Sequence, residues 1–302
     1  MATKMTPGTN AARLAILVCG GSVIFALTPN LARGGQAAQG QPTQQQQTPA
    51  PADKDKQPTA APLSMDTAPP PASSPEEDAA YKAVVDTPQT DAAKRIQLAE
   101  AFLQKYPTSR YRATMYQTLV SEYFATQQVP KLLDAADKEV QLNPNDAPVM
   151  AVAAQTIARS YDAKSPDAAQ NLDKAEQYSK RAIEITPTLP KPANLTDDAF
   201  TVAKNDTLEM AHGGLGLVYL RRAKYAEAVP ELEAAIKSNT HPQPDPVNFY
   251  LLGVADMHTS HFDAATVAFN KCAEIQSSLQ NNCKASADAA KKQGATQLSA
   301  PK

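Results

Sequence analysis

Two stretches of the sequence decide the fold: AHGGLGLVYLRRAKYAEAVPELEAAIKSN (211–239) and VNFYLLGVADMHTSHFDAATVAFNKCAEI (247–275). The pair Leu215-Gly216 of the first stretch recurs 37 residues later as Leu252-Gly253. Residues of the same type then follow at equal offsets. The matched pairs are Tyr225 with Phe262, Ala228 with Ala265, Leu232 with Phe269, and Ala235 with Cys272. Self-similarity at a fixed period predicts a repeat architecture.

The apolar residues of each stretch have a helical period. Ala228, Leu232, Ala235 and Ile236 fall at i, i+4, i+7 and i+8, which places them in one stripe along a helix. The same pattern extends from about residue 76 to about residue 279, and no segment there alternates as a strand does. The sequence therefore predicts an all-α fold.

A third copy supports a resemblance to a known family. The segment 112–145 repeats the form with Tyr116, Leu119, Tyr123 and a closing Pro144. Together the copies resemble the tetratricopeptide repeat (TPR) family, whose unit has about 34 residues. The resemblance implies a TPR-like α-solenoid of about five antiparallel helix pairs. The expected units are 112–145, 209–240 and 246–279, a weaker unit at 147–188, and an N-terminal pair within 76–106.

The N-terminal residues 1–34 are typical of a signal peptide or a membrane anchor. Lys4 and Arg13 precede an apolar run from Leu14 to Leu27. This run is shorter than the roughly 20 residues that a membrane-spanning helix needs, which favours export with cleavage. The sequence leaves both outcomes open, a cleaved signal and an uncleaved N-terminal anchor. In either case we expect the chain to act outside the cytoplasm, in the periplasm or its equivalent, with membrane contact only through this segment if it stays.

The remainder divides by composition into three regions. Residues 35–74 are rich in Gln, Pro and Ala and lack the apolar side chains needed to offset ordering entropy, so they predict a disordered linker. Residues 75–279 form the predicted repeat domain, and residues 280–302 a partly disordered C-terminal extension. Within the domain, 188–204 is predicted to be a long insertion, with Thr196 capping a short helix from Asp197 to about Ala203. This insertion is a second candidate for partner contact.

Composition argues against several functional classes. A formal net charge of -2 and a pI near 6.1 give no electrostatic footprint for nucleic acid. His258 and His261 lie at a predicted turn without further ligands nearby, so no metal site is expected. The run Gly213–Gly216 falls inside a helix, where close packing explains it better than a phosphate. No catalytic motif or cofactor site is predicted, and the chain is expected not to be an enzyme.

The resemblance implies a binding groove lined by the first helix of each pair, which receives a protein or peptide. Carried over by position, the groove residues are Gln117, Ser121, Phe124, Leu217, Leu220, Arg221, Tyr250, Met257 and His258. The family's clamp for a C-terminal carboxylate needs Lys and Asn at set positions, and Gln117, Ser121, Gly213 and Leu217 stand there instead. The mixture of aromatic, aliphatic and Arg side chains suits an apolar or mixed peptide.

Two cysteines lie near the end of the predicted domain. Cys272 and Cys283 are 11 residues apart, and in an oxidising compartment they can join the C-terminal extension to the last repeat. The alternative is that Cys272 fills the small-residue position of the repeat while Cys283 is a free thiol. Spacing alone does not decide between these two states.

Three functional hypotheses follow. The first is a non-enzymatic TPR adaptor outside the cytoplasm that binds a partner in its groove. The second is a fixed subunit of a cell-envelope assembly complex, which would co-purify with its partners in constant ratio. The third, from another class, is a hydrolase or metal enzyme with an unrecognised site, and stabilisation by a divalent metal would favour it.

Overall fold

The computed structural model describes residues 73–193 and 195–299. The predicted signal or anchor segment and nearly all of the predicted linker lie outside these residues, so both stay predictions. Within the described part, no helix has the length and apolar character required to cross a membrane.

Regular structure in the described residues is helical, and no strand occurs among them, which confirms the all-α prediction for this part of the chain. The helices are α1 (Pro75–Asp86), α2 (Ala92–Lys105), α3 (Arg112–Ala125), α4 (Val129–Leu142), α5 (Ala147–Arg159), α6 (Ala168–Ile185), α7 (Asp197–Arg221), α8 (Tyr225–Ser238), α9 (Pro246–His258), α10 (Phe262–Glu274) and α11 (Gln280–Ser299). A 3₁₀ turn, Thr186–Thr188, follows α6.

The helices pack in consecutive pairs joined by short turns. α1 contacts α2, α3 contacts α4, α5 contacts α6, α7 contacts α8 and α9 contacts α10. Each second helix also contacts the first helix of the following pair. Because neighbours joined by short turns run antiparallel, this is the stacking that the TPR resemblance implies. α11 packs against α10 and ends the described array.

The Leu-Gly pairs mark where two helices of a pair approach closely. A Cβ atom on Gly216 would lie 2.6 Å from the Leu232 side chain, and one on Gly253 would lie 2.6 Å from the Phe269 ring. Real Cβ atoms do not come this near. The first helix therefore needs glycine at this position so that the large side chain of the second helix can fill the space between them.

The turn between first and second helices is the same in three pairs. Gln127, Ala223 and Ser260 each stand two residues beyond a first helix and have φ of 58°, 56° and 63°. The next amide of each turn donates to a carbonyl five residues back, as in Gln128 to Tyr123 at 2.9 Å. This Schellman-type ending favours glycine, yet none of the three residues is glycine.

The second part of the expected insertion at 188–204 is the start of a long helix. Thr196 does cap a helix, and its hydroxyl accepts from the Ala199 amide at 3.2 Å. The expectation of a short helix ending near Ala203 is wrong, because α7 continues for 25 residues to Arg221. Neither proline nor glycine occurs between Asp197 and His212, so nothing in the sequence stops the helix. The Lys204 ammonium also ties it to the Pro187 carbonyl at 2.9 Å.

Residues 280–299 of the predicted C-terminal extension form α11, and the rest of the extension lies outside the described residues. Cys272 of α10 and Cys283 of α11 are joined by a disulfide, with Cα atoms 5.8 Å apart. Ala287 and Ala290 of α11 are buried in a cluster with Ala265 and Phe269. Small side chains let α11 lie close to α10, and that contact orders it.

Candidate partner-binding site

The groove residues on α3 lie at the surface but are not all free. Gln117 and Ser121 are exposed, while Phe124 is half-buried against the N-terminal core. The Gln117 amide donates to an Asp146 carboxylate oxygen at 2.7 Å and lies 3.4 Å from a Glu139 oxygen. Gln117 therefore presents only part of its side chain to a partner. We call Gln117, Ser121 and Phe124 the N-terminal patch.

The groove residues on α7 and α9 are more buried. Leu217 is only 8% exposed and packs in the core around Leu232. Its assignment to an accessible groove is therefore wrong, because α5 packs over this side of α7. Leu220, Tyr250 and Met257 are half-buried, which leaves part of each side chain at the surface.

Arg221 lies beside an aromatic ring that the sequence analysis did not single out. Its guanidinium carbon is 5.5 Å from the centre of the Tyr161 ring, which the turn between α5 and α6 supplies. Burial lowers the pKa of Arg221. Guanidinium groups form charge-assisted hydrogen bonds with carboxylate and carbonyl oxygens.

His258 is exposed and stacks on the ring of Tyr225, with ring centres 3.9 Å apart and 6° between the planes. Tyr225 begins α8 and His258 ends α9, so the stack links two neighbouring pairs. His258 is thus both a surface residue and an inter-repeat contact. We call Leu220, Arg221, Tyr250, Met257 and His258 the C-terminal patch.

The structure divides the predicted groove into these two patches. Between them lies α5, whose Ala151, Ala154 and Ala158 are fully buried. A Cβ atom on Gly214 of α7 would be 3.2 Å from the backbone of Gln155, so α5 and α7 pack with little space between them. Most side chains of α5 are buried, so α5 offers little surface to a partner.

A buried acid pair lies directly beneath Gln117. Glu139 is fully buried and Asp146 is 6% exposed. Burial, together with the neighbouring Asp146 carboxyl, raises the pKa of Glu139 to about 8. Asp146 also caps α5 by accepting from the Val149 amide at 3.1 Å. Sequence reasoning missed this pair because its members come from different helices, although Asp146 before Ala147-Pro148 is a recognisable cap.

A second polar cluster joins the middle of α7 to the segment after α8 and to α9. Glu209 accepts from Asn239 at 3.1 Å and from Asn248 at 3.3 Å, and Asp206 contacts His241 at 2.9 Å. Burial raises the pKa of both carboxyl groups. The polar groups of this cluster form hydrogen bonds with one another and connect neighbouring repeats.

No group of three or more potential ligands that could hold a metal ion occurs in the described part of the chain. Several ion pairs of this part cross from one repeat to the next, while others lie within one helix. Lys131 of α4 pairs with Glu100 of α2 at 3.0 Å, Lys174 of α6 with Asp137 of α4, and Arg222 with Glu176 of α6. These pairs fix neighbouring repeats to each other.

Comparison with known proteins gives matches among solved structures only. No protein-family model matches the chain, and no curated protein does. One similar structure is a thermophilic TPR protein of Thermus thermophilus, with 17% identity and a TM-score of 0.44 over 71% of this chain and 98% of that one. Another is a tetratricopeptide repeat protein of Parabacteroides merdae, with 13% identity and a TM-score of 0.27 over 71% of this chain and 96% of that one.

Proposed function

We propose that this protein is a non-enzymatic scaffold that binds a protein or peptide through the first helices of its repeats. The observation that carries the proposal is the partial burial of Leu220, Tyr250 and Met257. Each is anchored in a core cluster and still offers apolar surface to solvent. Rigid aromatic and aliphatic side chains of this kind bind a partner with little loss of side-chain entropy.

The two patches suggest a partner with two contact points. The C-terminal patch combines apolar surface with the half-buried cation of Arg221, which suits an apolar segment that carries an acidic group. The N-terminal patch is more polar, since Gln117 and Ser121 are exposed there. A single peptide that follows all the first helices is not required, because α5 is buried between the patches.

Site-specific photo-cross-linking in the native host tests this proposal. A photoreactive amino acid is placed at Ser121 or at His258, both of which are exposed. The matched control is Val267, which is 61% exposed on the second helix α10. We expect one partner to be cross-linked from Ser121 and from His258, and not from Val267.

A fourth position separates the two candidate surfaces. Val202 is 38% exposed on the N-terminal turns of α7, within the predicted insertion. Cross-linking from Val202 alone would move the binding surface to the insertion. Equal cross-linking from Val267 and the patch positions would show that the first helices are not selective, and the proposal would fail.

We further propose that the chain acts outside the cytoplasm. The support is the basic and apolar character of residues 1–34, together with two cysteines in the bonded state, since disulfides persist in oxidising compartments. Fractionation of the host and N-terminal sequencing of the purified protein provide the test. A mature end near residues 34–38 would indicate cleavage, an intact end in the membrane fraction would indicate an anchor, and recovery in the cytoplasm would refute the proposal.

A further inference from the structure

The disulfide is a strong link between α11 and the rest of the array. Cys272 lies in the last turn of α10, Cys283 lies in the first turn of α11, and both are fully buried. Five residues, 275–279, connect the two helices. The bond therefore fixes only the near end of α11.

The other buried side chains of α11 are small. Among its described side chains, Ala287 and Ala290 are the buried residues besides Cys283. The second helices of the repeats instead bury large residues, such as Leu232 in α8 and Phe269 in α10. Because the hydrophobic contribution follows the apolar area removed from water, α11 gains much less from its own side chains than those helices do.

The far half of α11 lies against the start of α10. A cleft of about 580 Å³ opens between it and the start of α10, with Phe262, Ala289 and Gln293 among its lining residues. Contact in this half is close at Gly294, where a Cβ atom would lie 3.1 Å from Phe262. The buried side chains that attach α11 apart from Cys283 are therefore small, and they lie near the middle of the helix.

Part of the core of the last pair does not involve α11, although Phe269 also packs in a cluster with Ala287 and Ala290. Phe269 is the largest buried residue of the last pair, and its ring also packs against Gly253 and Tyr250 of α9. Tyr250 in turn belongs to the core that α7 and α8 share with α9. Departure of α11 thus leaves these contacts in place while it uncovers the outer face of α10.

We propose that the Cys272–Cys283 disulfide is a redox lock on α11. In the oxidised protein α11 caps the last repeat. A dithiol reductant transfers two electrons and two protons to the bond, which leaves a thiol on each cysteine and converts the reductant to its own disulfide. Reduced α11 then undocks as a unit while α9 and α10 stay folded.

The substitution Cys272→Ala tests the lock with little disturbance of the repeat. Alanine occupies the equivalent position in two other second helices, at Ala182 and Ala235, and both are fully buried. The thiol of Cys283 then reports on docking through its reaction with a maleimide, followed by mass spectrometry of the 272–284 peptide. Hydrogen exchange of the α9, α10 and α11 amides is measured on the same samples.

We expect Cys283 of C272A to react faster than global unfolding would allow, because sub-global opening costs less free energy than unfolding of the whole domain. The α11 amides should exchange faster than in oxidised protein, and those of α9 and α10 should keep their protection. Wild-type protein treated with dithiothreitol should behave like C272A.

Either of two results overturns the proposal. One is that Cys283 of C272A reacts only at the rate of global unfolding, or that α9 and α10 lose protection together with α11. The other is that reduced wild-type protein keeps α11 protected while C272A does not, since the opening would then come from the substitution and not from loss of the bond.

Discussion

Two repeats, α3–α4 and α9–α10, fill the space between their two helices differently. In each, one helix supplies a large side chain and the other a small one. In the α9–α10 repeat, Gly253 on the first helix faces Phe269 on the second. In the α3–α4 repeat the equivalent residues, counted from the turn residue Gln127 as Gly253 and Phe269 are counted from Ser260, are Val120 and Ala136. Both are buried. The large side chain has moved from the second helix to the first. The repeat therefore constrains the summed volume at this contact and not the residue type on either helix.

The two repeats differ again one turn further along the second helix. Cys272 of α10 and Glu139 of α4 occupy equivalent positions, and both are fully buried. Cysteine behaves there as a small apolar residue that also bonds to α11. Glutamate brings an ionisable group into the interior, which makes the α3–α4 repeat sensitive to pH.

The largest effect should come from breaking the Gly253–Phe269 contact. We expect Phe269→Ala to lower the free energy of unfolding by about 4 kcal/mol, because it leaves a cavity. Gly253→Val should cost about 3 kcal/mol, because its side chain would overlap the Phe269 ring. The double variant imitates the α3–α4 repeat and should lose less than the sum of the two. Guanidinium denaturation of all four proteins measures the coupling.

The matched control for that cycle pairs Phe269→Ala with a change that Phe269 does not contact. Ala101→Gly lies on the exposed face of α2 in another repeat. Its cost should add to that of Phe269→Ala without coupling. Additive behaviour of Gly253→Val with Phe269→Ala would contradict the idea of a shared volume.

The next effect concerns Glu139 and has a defined pH window. Its pKa is about 8 in the folded protein and 4.5 as the ordinary value. Between these values the folded state binds more protons than the unfolded state, so the free energy of unfolding falls as the pH rises and levels off above about 8. These two values correspond to a loss of about 4 kcal/mol between pH 5 and pH 9, which denaturant titrations measure.

Glu139→Gln should remove most of that slope, because glutamine keeps the shape and cannot ionise. Glu274→Gln is the control, since Glu274 lies on the solvated side of α10 and pairs with Lys271. An unchanged slope in the Glu139 variant would assign the pH dependence to other groups. Equal flattening in both variants would show that the effect is not local to the acid pair.

The contrast between the repeats also shows which contacts could be predicted from the sequence. Gly216, Gly253 and the aromatic residues after them predicted the helix pairs, because close packing leaves a local pattern. Val120 and Ala136 carry no such pattern, since only their combined volume matters. The burial of Glu139 depends on Gln117 and Asp146, and the burial of Leu217 depends on the approach of α5 to Gly214. These contacts join distant positions, so local periodicity cannot predict them.

The smallest effect should be equal in both repeats. Gln127 and Ser260 hold the same left-handed turn, in which a side chain is unfavourable and glycine is not. Gln127→Gly and Ser260→Gly should each raise the free energy of unfolding by about 0.5–1 kcal/mol, despite the extra freedom that glycine gives the unfolded chain. Thermal unfolding checks both, and gains that differ between the repeats would show that the turns are not equivalent.

Replacing alanine by glycine in two backbone conformations isolates the cause of the expected stabilisation. Ala223→Gly acts at φ of 56° and should stabilise the protein, whereas Ala101→Gly acts inside α2 and should cost about 1 kcal/mol. Both changes remove one methyl group and add the same freedom to the unfolded chain. If the two changes alter the free energy of unfolding in opposite directions, the gain comes from the turn itself. The repeats share this turn whichever helix supplies the large side chain. A loss from both would mean that the left-handed residues are not strained.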